Sequence, residues 1–174
     1  MRVLCDLPEI SSGGILLLAP TGKARVRLEE ATERLGEGMT LAQFLQRYER
    51  YDGTSGRYFR TPEAPREKGF RSVIVDECSM LTEDQLAALI DAIEGVDRLI
   101  LVGDPRQLPP IGAGRPFVDI CRQLAPSEDT PQFPKIAPGY AELTIIGRQR
   151  GTDRGDVLLA RQFSGVNRPG FTGG

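Results

Sequence analysis

Among its 174 residues the chain has no histidine. Ser-His and Cys-His nucleophilic catalysis and the common zinc-enzyme sites each need an imidazole, so all are excluded within this chain. Cysteines number only three, Cys5, Cys78 and Cys121, far apart and without C-x-x-C spacing. An odd, scattered set of thiols supports neither a disulfide framework nor a zinc site, and it fits a reducing cytoplasm. No apolar run approaches the ~20 residues of a membrane span; Ile15 to Ala19 is representative. The amino terminus carries one arginine, then Cys5 and Asp6 before a broken apolar stretch, which is not the form of a signal peptide. Net charge is −2, so nothing global draws the chain to nucleic acid. Such a partner has to be argued from local features.

What the sequence does have is a rhythm of short apolar strands and amphipathic helices. Ile15–Ala19, Ser72–Asp76 and Leu99–Gly103 are candidate strands. None alternates apolar with polar, which predicts burial on both faces in a parallel sheet covered by helices. Between them, Ala24, Leu28, Ala31 and Leu35 share a helical face. Thr40 with Gln43 forms a capping box ahead of Leu41, Phe44, Leu45 and Tyr48. Thr82 with Gln85 repeats the device before Leu86, Leu89, Ile90 and Ile93, with Gly95 as the stop. Pro116 opens a last helix over Phe117, Ile120, Cys121 and Leu124. The expected fold is a doubly wound α/β domain over residues 1–124. Two stretches interrupt it. Residues 49–71 read as a surface hairpin or small insertion, and the prolines of 125–139 read as an extended connector. Beyond it, residues 140–174 are expected to hold one more strand and helix and a frayed tail.

Chemistry concentrates at strand ends. Val73-Ile74-Val75 ends abruptly in Asp76-Glu77, and ligands of open α/β sheets bind at the carboxyl ends of strands. One carboxylate there can serve Mg²⁺ and the next can polarise an attacking water. The competing reading is that both acids cap the following turn. One strand later, Leu99 to Val102 runs into Gly103-Asp104-Pro105-Arg106-Gln107-Leu108-Pro109-Pro110. Gln107 can place its amide near a terminal phosphate, but taken alone this segment is a proline-stiffened turn.

Taken together, VIVDECSM and LILVGDPRQLPPIGAG resemble motifs II and III of superfamily 1 helicases, in particular the RecD-like branch. Leu18 to Ala24 is similar to motif Ia and Leu143 to Gln149 to motif IV, in the family's order. Four ordered motifs are far more specific than any one of them. The resemblance implies a RecA-like fold of the phosphate-loop NTPase type, with ATP and Mg²⁺ as ligands and single-stranded DNA as partner. It implies Asp76 for Mg²⁺, Glu77 as general base and Gln107 as the γ-phosphate sensor coupled to DNA. Arg148 becomes the arginine that stabilises transition-state charge. Pro20, Thr21, Lys23, Thr40 and Gln43 fall on or near the DNA track; helix capping already accounts for the last two.

One departure matters. Thr21-Gly22-Lys23-Ala24 imitates a phosphate loop, yet the motif requires G-x-x-x-x-G-K-[ST]. Leu17 stands where the first glycine belongs, and Ala24 has no hydroxyl. No other segment of the 174 residues supplies the motif. The expectation is therefore an amino-terminally truncated motor domain whose phosphate-loop segment and second RecA-like lobe lie elsewhere. Such a domain would be inactive alone and would expose a sheet edge or have it covered by a partner. The alternative is a non-catalytic nucleic-acid-binding or assembly module on the same fold.

Overall fold

A computed structural model describes residues 5–108, 110–126 and 135–142 of the chain. They fall into two compact units, divided after Gln123.

The first unit is built on a four-stranded parallel sheet. Its strands are β1 (Ile15–Ala19), β2 (Glu37–Thr40), β5 (Ser72–Val75) and β6 (Arg98–Leu101), in the order β2-β1-β5-β6. The pleat sends alternate residues to opposite faces. Leu16, Leu18, Val73 and Val75 join one apolar cluster, with Leu99 and Leu101 packed against it. Ile15, Leu17, Ala19 and Ile74 join the other, with Ile100 and Val102 beside them. Helices cover both faces. On the first lie α3 (Leu41–Arg47), α4 (Glu83–Ala92) and α5 (Pro116–Leu124), through Phe44, Leu45, Leu86, Leu89 and Phe117. On the second lie α1 (Pro8–Ser11) and α2 (Gly22–Ala31), through Ile10 and Leu28. This is the expected doubly wound α/β fold, and β1 and β5 are buried along their whole length. Among the described residues no helix is long and apolar enough to cross a membrane.

Several local expectations are met and others corrected. Both capping boxes form: the Gln43 N–H reaches Thr40 Oγ1 at 3.2 Å, and the Gln85 N–H reaches Thr82 Oγ1 at 3.3 Å. Helix α2 ends at Ala31, so Leu35 does not continue its stripe and stands exposed. The cause is local. Thr32 Oγ1 donates back to the Leu28 carbonyl at 2.9 Å, and Glu33 and Arg34 turn left-handed, swinging the chain into β2. That strand lacks an apolar run because it is an edge strand. A side chain on its Gly38 would collide with the Glu29 carboxylate of α2. Helix α4 stops at Ala92 rather than at Gly95, because Ile93 turns extended and bridges to Glu67. Ile90 faces away from the core. Strand β6, the other edge of the sheet, is only half-buried, unlike β5 beside it.

Residues 49–71 hold a hairpin of β3 (Tyr51–Asp52) and β4 (Arg57–Tyr58). It is anchored rather than loosely solvated. Arg50 is completely buried: its Nε donates to Asp91 Oδ2 at 2.8 Å, and its other nitrogens donate to the carbonyls of Tyr48, Thr61, Ala64 and Pro65. Tyr51 and Tyr58 stack on each other at 4.5 Å, so their facing surfaces are already occupied. In the second unit, β7 (Ile136–Ala137) and β8 (Tyr140–Ala141) form a small hairpin turned at Pro138-Gly139.

A guanidinium buried this completely makes its removal costly. Arg50→Met should lower the unfolding free energy by about 3–5 kcal/mol in urea titration, since the carbonyls of Tyr48, Thr61, Ala64 and Pro65 and one oxygen of Asp91 all lose their donor. Burial pushes the Asp91 carboxyl upward, but the Thr61 N–H, the Arg50 hydrogen bond and the charges of Arg50 and Arg66 outweigh it and hold it below its ordinary value of 3.8. A depressed carboxyl contributes stability that is complete above that value and lost as pH falls through the lower folded one. Asp91→Asn should flatten this acid limb of the stability curve; an unchanged limb would refute the assignment.

Candidate active site

Because the four strands of the main sheet are parallel, their carboxyl ends share one edge of the domain. Four segments emerge there: Pro20-Thr21 after β1, Thr40 at the end of β2, Asp76-Glu77 after β5, and the loop from Val102 after β6. Asp76 leaves the sheet half-buried, with its N–H bonded to the Leu18 carbonyl at 2.9 Å. Glu77 then takes a left-handed backbone conformation, φ 54° and ψ 38°, before the 3₁₀ turn Cys78–Met80. For a residue with a Cβ this costs roughly 1–2 kcal/mol. The strain turns the chain at once, so that Glu77 stands at the mouth of the sheet.

The neighbouring loop is fastened to that turn. The Cys78 N–H donates to the Val102 carbonyl at 2.8 Å. Gly103 follows, and a Cβ on it would sit 2.9 Å from the Ser79 nitrogen and 2.9 Å from the Phe117 ring. Only glycine lets the loop lie this close to the turn. Asp104 then folds the loop on itself. Its Oδ1 accepts from the Arg106 N–H at 3.0 Å and its carbonyl from the Gln107 N–H at 3.0 Å. The loop returns at Ala113, whose carbonyl accepts from the Glu83 N–H at the start of α4. Between these anchors Leu108 and Ile111 stand in solvent.

The outcome is a cleft of about 260 Å³ whose walls include Pro20, Thr21, Lys23, Glu77 and Gln107. Sites that enclose a small molecule run roughly 300–1,000 Å³, so this cleft is smaller than one that encloses a whole ligand. Lys23 and Arg27 bring positive charge to one wall, and Glu77 brings a carboxylate to another. Thr21 caps α2, with its hydroxyl accepting from the Ala24 N–H at 3.2 Å. Asp76, Thr40 and Gln43 do not line the cleft, and the side chains of Thr40 and Gln43 are engaged in their capping box. Arg148 and the rest of residues 143–149 lie outside the described residues. A larger depression, about 320 Å³, lies between Pro62 and Glu94, away from the strand ends. There Lys68 and Arg66 pair with Glu94, which leaves little charge to recruit a ligand. Among the described residues no three acids or thiols gather to hold a metal. Burial pushes the Cys78 thiol up to about 12, so it is no nucleophile.

A family model described as an AAA domain matches residues 1–160. The chain belongs to that family. The AAA domain is 35% identical over 156 residues to the ATP-dependent RecD2 DNA helicase of Deinococcus radiodurans, covering 90% of this chain and 20% of that protein. It is 31% identical over 179 residues to the RecBCD enzyme subunit RecD of Mycobacterium tuberculosis, covering 90% of this chain and 29% of that one. A shorter match, 38% over 78 residues, is to the conjugal transfer protein TraA of Rhizobium radiobacter, covering 44% of this chain and 6% of that protein. The chain thus spans less than a third of each of these relatives. The likeness to the RecD-like branch of superfamily 1 helicases, first read from the motifs, is borne out.

Three residues of the AAA domain's cleft region escape sequence reasoning. Arg27 and Met80 line the cleft, and Ser79 touches Gln107. Arg27 lies one helical turn beyond Lys23, so the i, i+4 spacing was a usable signal. The other two follow Glu77 in sequence, but nothing in their spacing tells which of them faces the cleft. The strain at Glu77 carries a stability prediction. Glu77→Gly should raise the melting temperature by a few degrees, because glycine adopts the left-handed conformation freely, while Glu77→Gln should leave it unchanged. A lower melting temperature for the glycine variant would contradict the strain.

Proposed function

We propose that this chain is the water-activating part of an ATP-driven motor domain that moves on single-stranded DNA. The observation that carries the reading is the shared cleft, where Glu77 and Gln107 meet Thr21 and Lys23 at the carboxyl ends of parallel strands. A γ-phosphate on one side and a DNA phosphate on the other would then be read through the same few side chains.

The residues fit a magnesium nucleotide in a limited sense. Asp76 is one carboxylate at a strand end, and Mg²⁺ is commonly held by one or two carboxylates plus substrate phosphates and water. When bound, the ion screens phosphate charge and polarises the transferring group. Glu77 acts as the acceptor for the proton of the attacking water. Gln107 donates its amide toward phosphate or water oxygen. Lys23 and Arg27 supply compensating positive charge from α2. Arg148 stabilises charge in the transition state, on its motif alone. Pro20 and Thr21 hold the turn against which DNA lies, with Thr40 and Gln43 at the next strand end.

The 174 residues contain no G-x-x-x-x-G-K-[ST] run. On this reading the phosphate-gripping loop, and a second RecA-like lobe for translocation, are supplied by other segments. The three free cysteines suit a reducing cytoplasm. The same missing run favours a second reading, a module that binds nucleic acid or assembles without hydrolysing ATP.

Hydrolysis separates the two. The chain alone should show no DNA-stimulated ATP turnover. Fused behind a segment carrying the phosphate-loop motif, it should turn over ATP on adding single-stranded DNA. Glu77→Gln should then lower kcat by about 10²–10⁴-fold, the usual contribution of a general base. A well-folded fusion that binds DNA yet never hydrolyses ATP would favour the module. Robust turnover by the chain alone, abolished by Glu77→Gln, would show that it grips the triphosphate by itself.

A further inference from the structure

Ser79 is buried, yet its hydroxyl is spent on neither backbone capping nor solvent. It donates to Gln107 Oε1 at 3.2 Å, a contact between residues 28 positions apart that joins the two loops of the cleft. We infer that Ser79 is a positioning residue that holds the Gln107 side chain in place beside the cleft. This rests on the reading of Gln107 as a phosphate- or water-facing donor.

The physical reason lies in the symmetry of the amide. Gln107 carries an acceptor oxygen and a donor NH₂ of nearly equal size, and only rotation about one bond distinguishes the two orientations. A phosphate oxygen, or the lone pair of a water about to attack, needs the donor. A hydroxyl both donates and accepts; in this arrangement Ser79 donates to Oε1, which leaves Nε2 as the free end. The backbone of Gln107 is already fixed by its N–H bond to the Asp104 carbonyl, so the side-chain torsions are what remain to be set. Ser79 can set them because its own place is rigid. The Cys78 N–H is tied to Val102, and Gly103 leaves no room for the turn to drift. The same turn begins at Glu77. One hydroxyl therefore links the acceptor for the water's proton to the donor opposite it, and any shift of the Gln107 loop is felt at Glu77.

Two measurements test this, and the first does not depend on turnover. In the 174-residue chain, the Gln107 side-chain NH₂ pair is identified in a ¹⁵N-correlated spectrum by its disappearance in Gln107→Leu. Ser79→Ala should shift that pair toward the values of free glutamine and speed exchange of its two protons, while the backbone signals of Val73–Val75 stay in place. An unmoved pair in a folded variant overturns the proposal. If Ser79→Ala unfolds the chain, Ser79→Cys, which keeps a weak donor, should show the same shift to a lesser degree; an unmoved pair there overturns it equally.

The second measurement uses the fusion that carries a phosphate loop. Ser79→Ala should lower kcat roughly three- to tenfold, the worth of one net hydrogen bond, with unchanged affinity for single-stranded DNA. In a Gln107→Ala background the same change should have no further effect on kcat. An equal loss in both backgrounds would assign Ser79 a purely structural role and overturn the proposal. Loss of all turnover in the parent fusion would instead count against the motor reading, and the spectral result would still decide the contact.

Discussion

Strand β5 has neighbours on both edges and apolar clusters on both faces, and none of its four residues is exposed. A charge anywhere along it would be stranded without water, at a cost of several kcal/mol. Charge can appear only where the strand ends, and there the sequence places two carboxylates together. The apolar strand thus does two things at once. It supplies the centre of the core, and it delivers Asp76 and Glu77 to a fixed point on the edge where the other parallel strands also end. The left-handed turn at Glu77, the close approach at Gly103 and the seat of Gln107 all follow from that point.

A fold of this kind is legible in sequence wherever burial is complete. Ile15–Ala19 and Ser72–Val75 declare themselves by unbroken apolar runs, and the Thr40 and Thr82 boxes by a polar residue three positions before its partner. Legibility fails at edges and at buried charge. Strand β2 contributes Glu37 and Gly38, which carry no strand signal, because pairing with β1 rather than side-chain burial holds it. Arg50 reads as one more surface arginine in a charged stretch, although it is the largest fully buried side chain among the described residues. Its partners, four carbonyls and Asp91, are spread across 44 positions from Tyr48 to Asp91, a set no local pattern reveals.

The site shows the same division. Motif likeness could name Glu77, Gln107, Thr21 and Lys23, because each sits just past an apolar strand or a proline turn. It could not say that Thr40 and Gln43 stand outside the cleft while Arg27 and Met80 line it, since that depends on how α2 and the 3₁₀ turn approach each other. Nor could it find Ser79, whose role is defined by a contact with another loop. Sequence patterns report which strand ends carry chemistry; the three-dimensional arrangement decides which side chains meet.

A motor must do more than hold its two ligands near one another: occupancy by one has to change affinity for the other, and linkage makes that effect reciprocal. The most direct test is single-stranded DNA affinity of the phosphate-loop fusion, measured by fluorescence anisotropy at fixed low salt with a non-hydrolysable ATP analogue and again with ADP. The account predicts at least a fivefold difference between the two states, the lower end of typical coupling, about 1 kcal/mol. It also predicts that Gln107→Ala abolishes that difference. Equal DNA affinity in both nucleotide states, with both ligands bound, would contradict it.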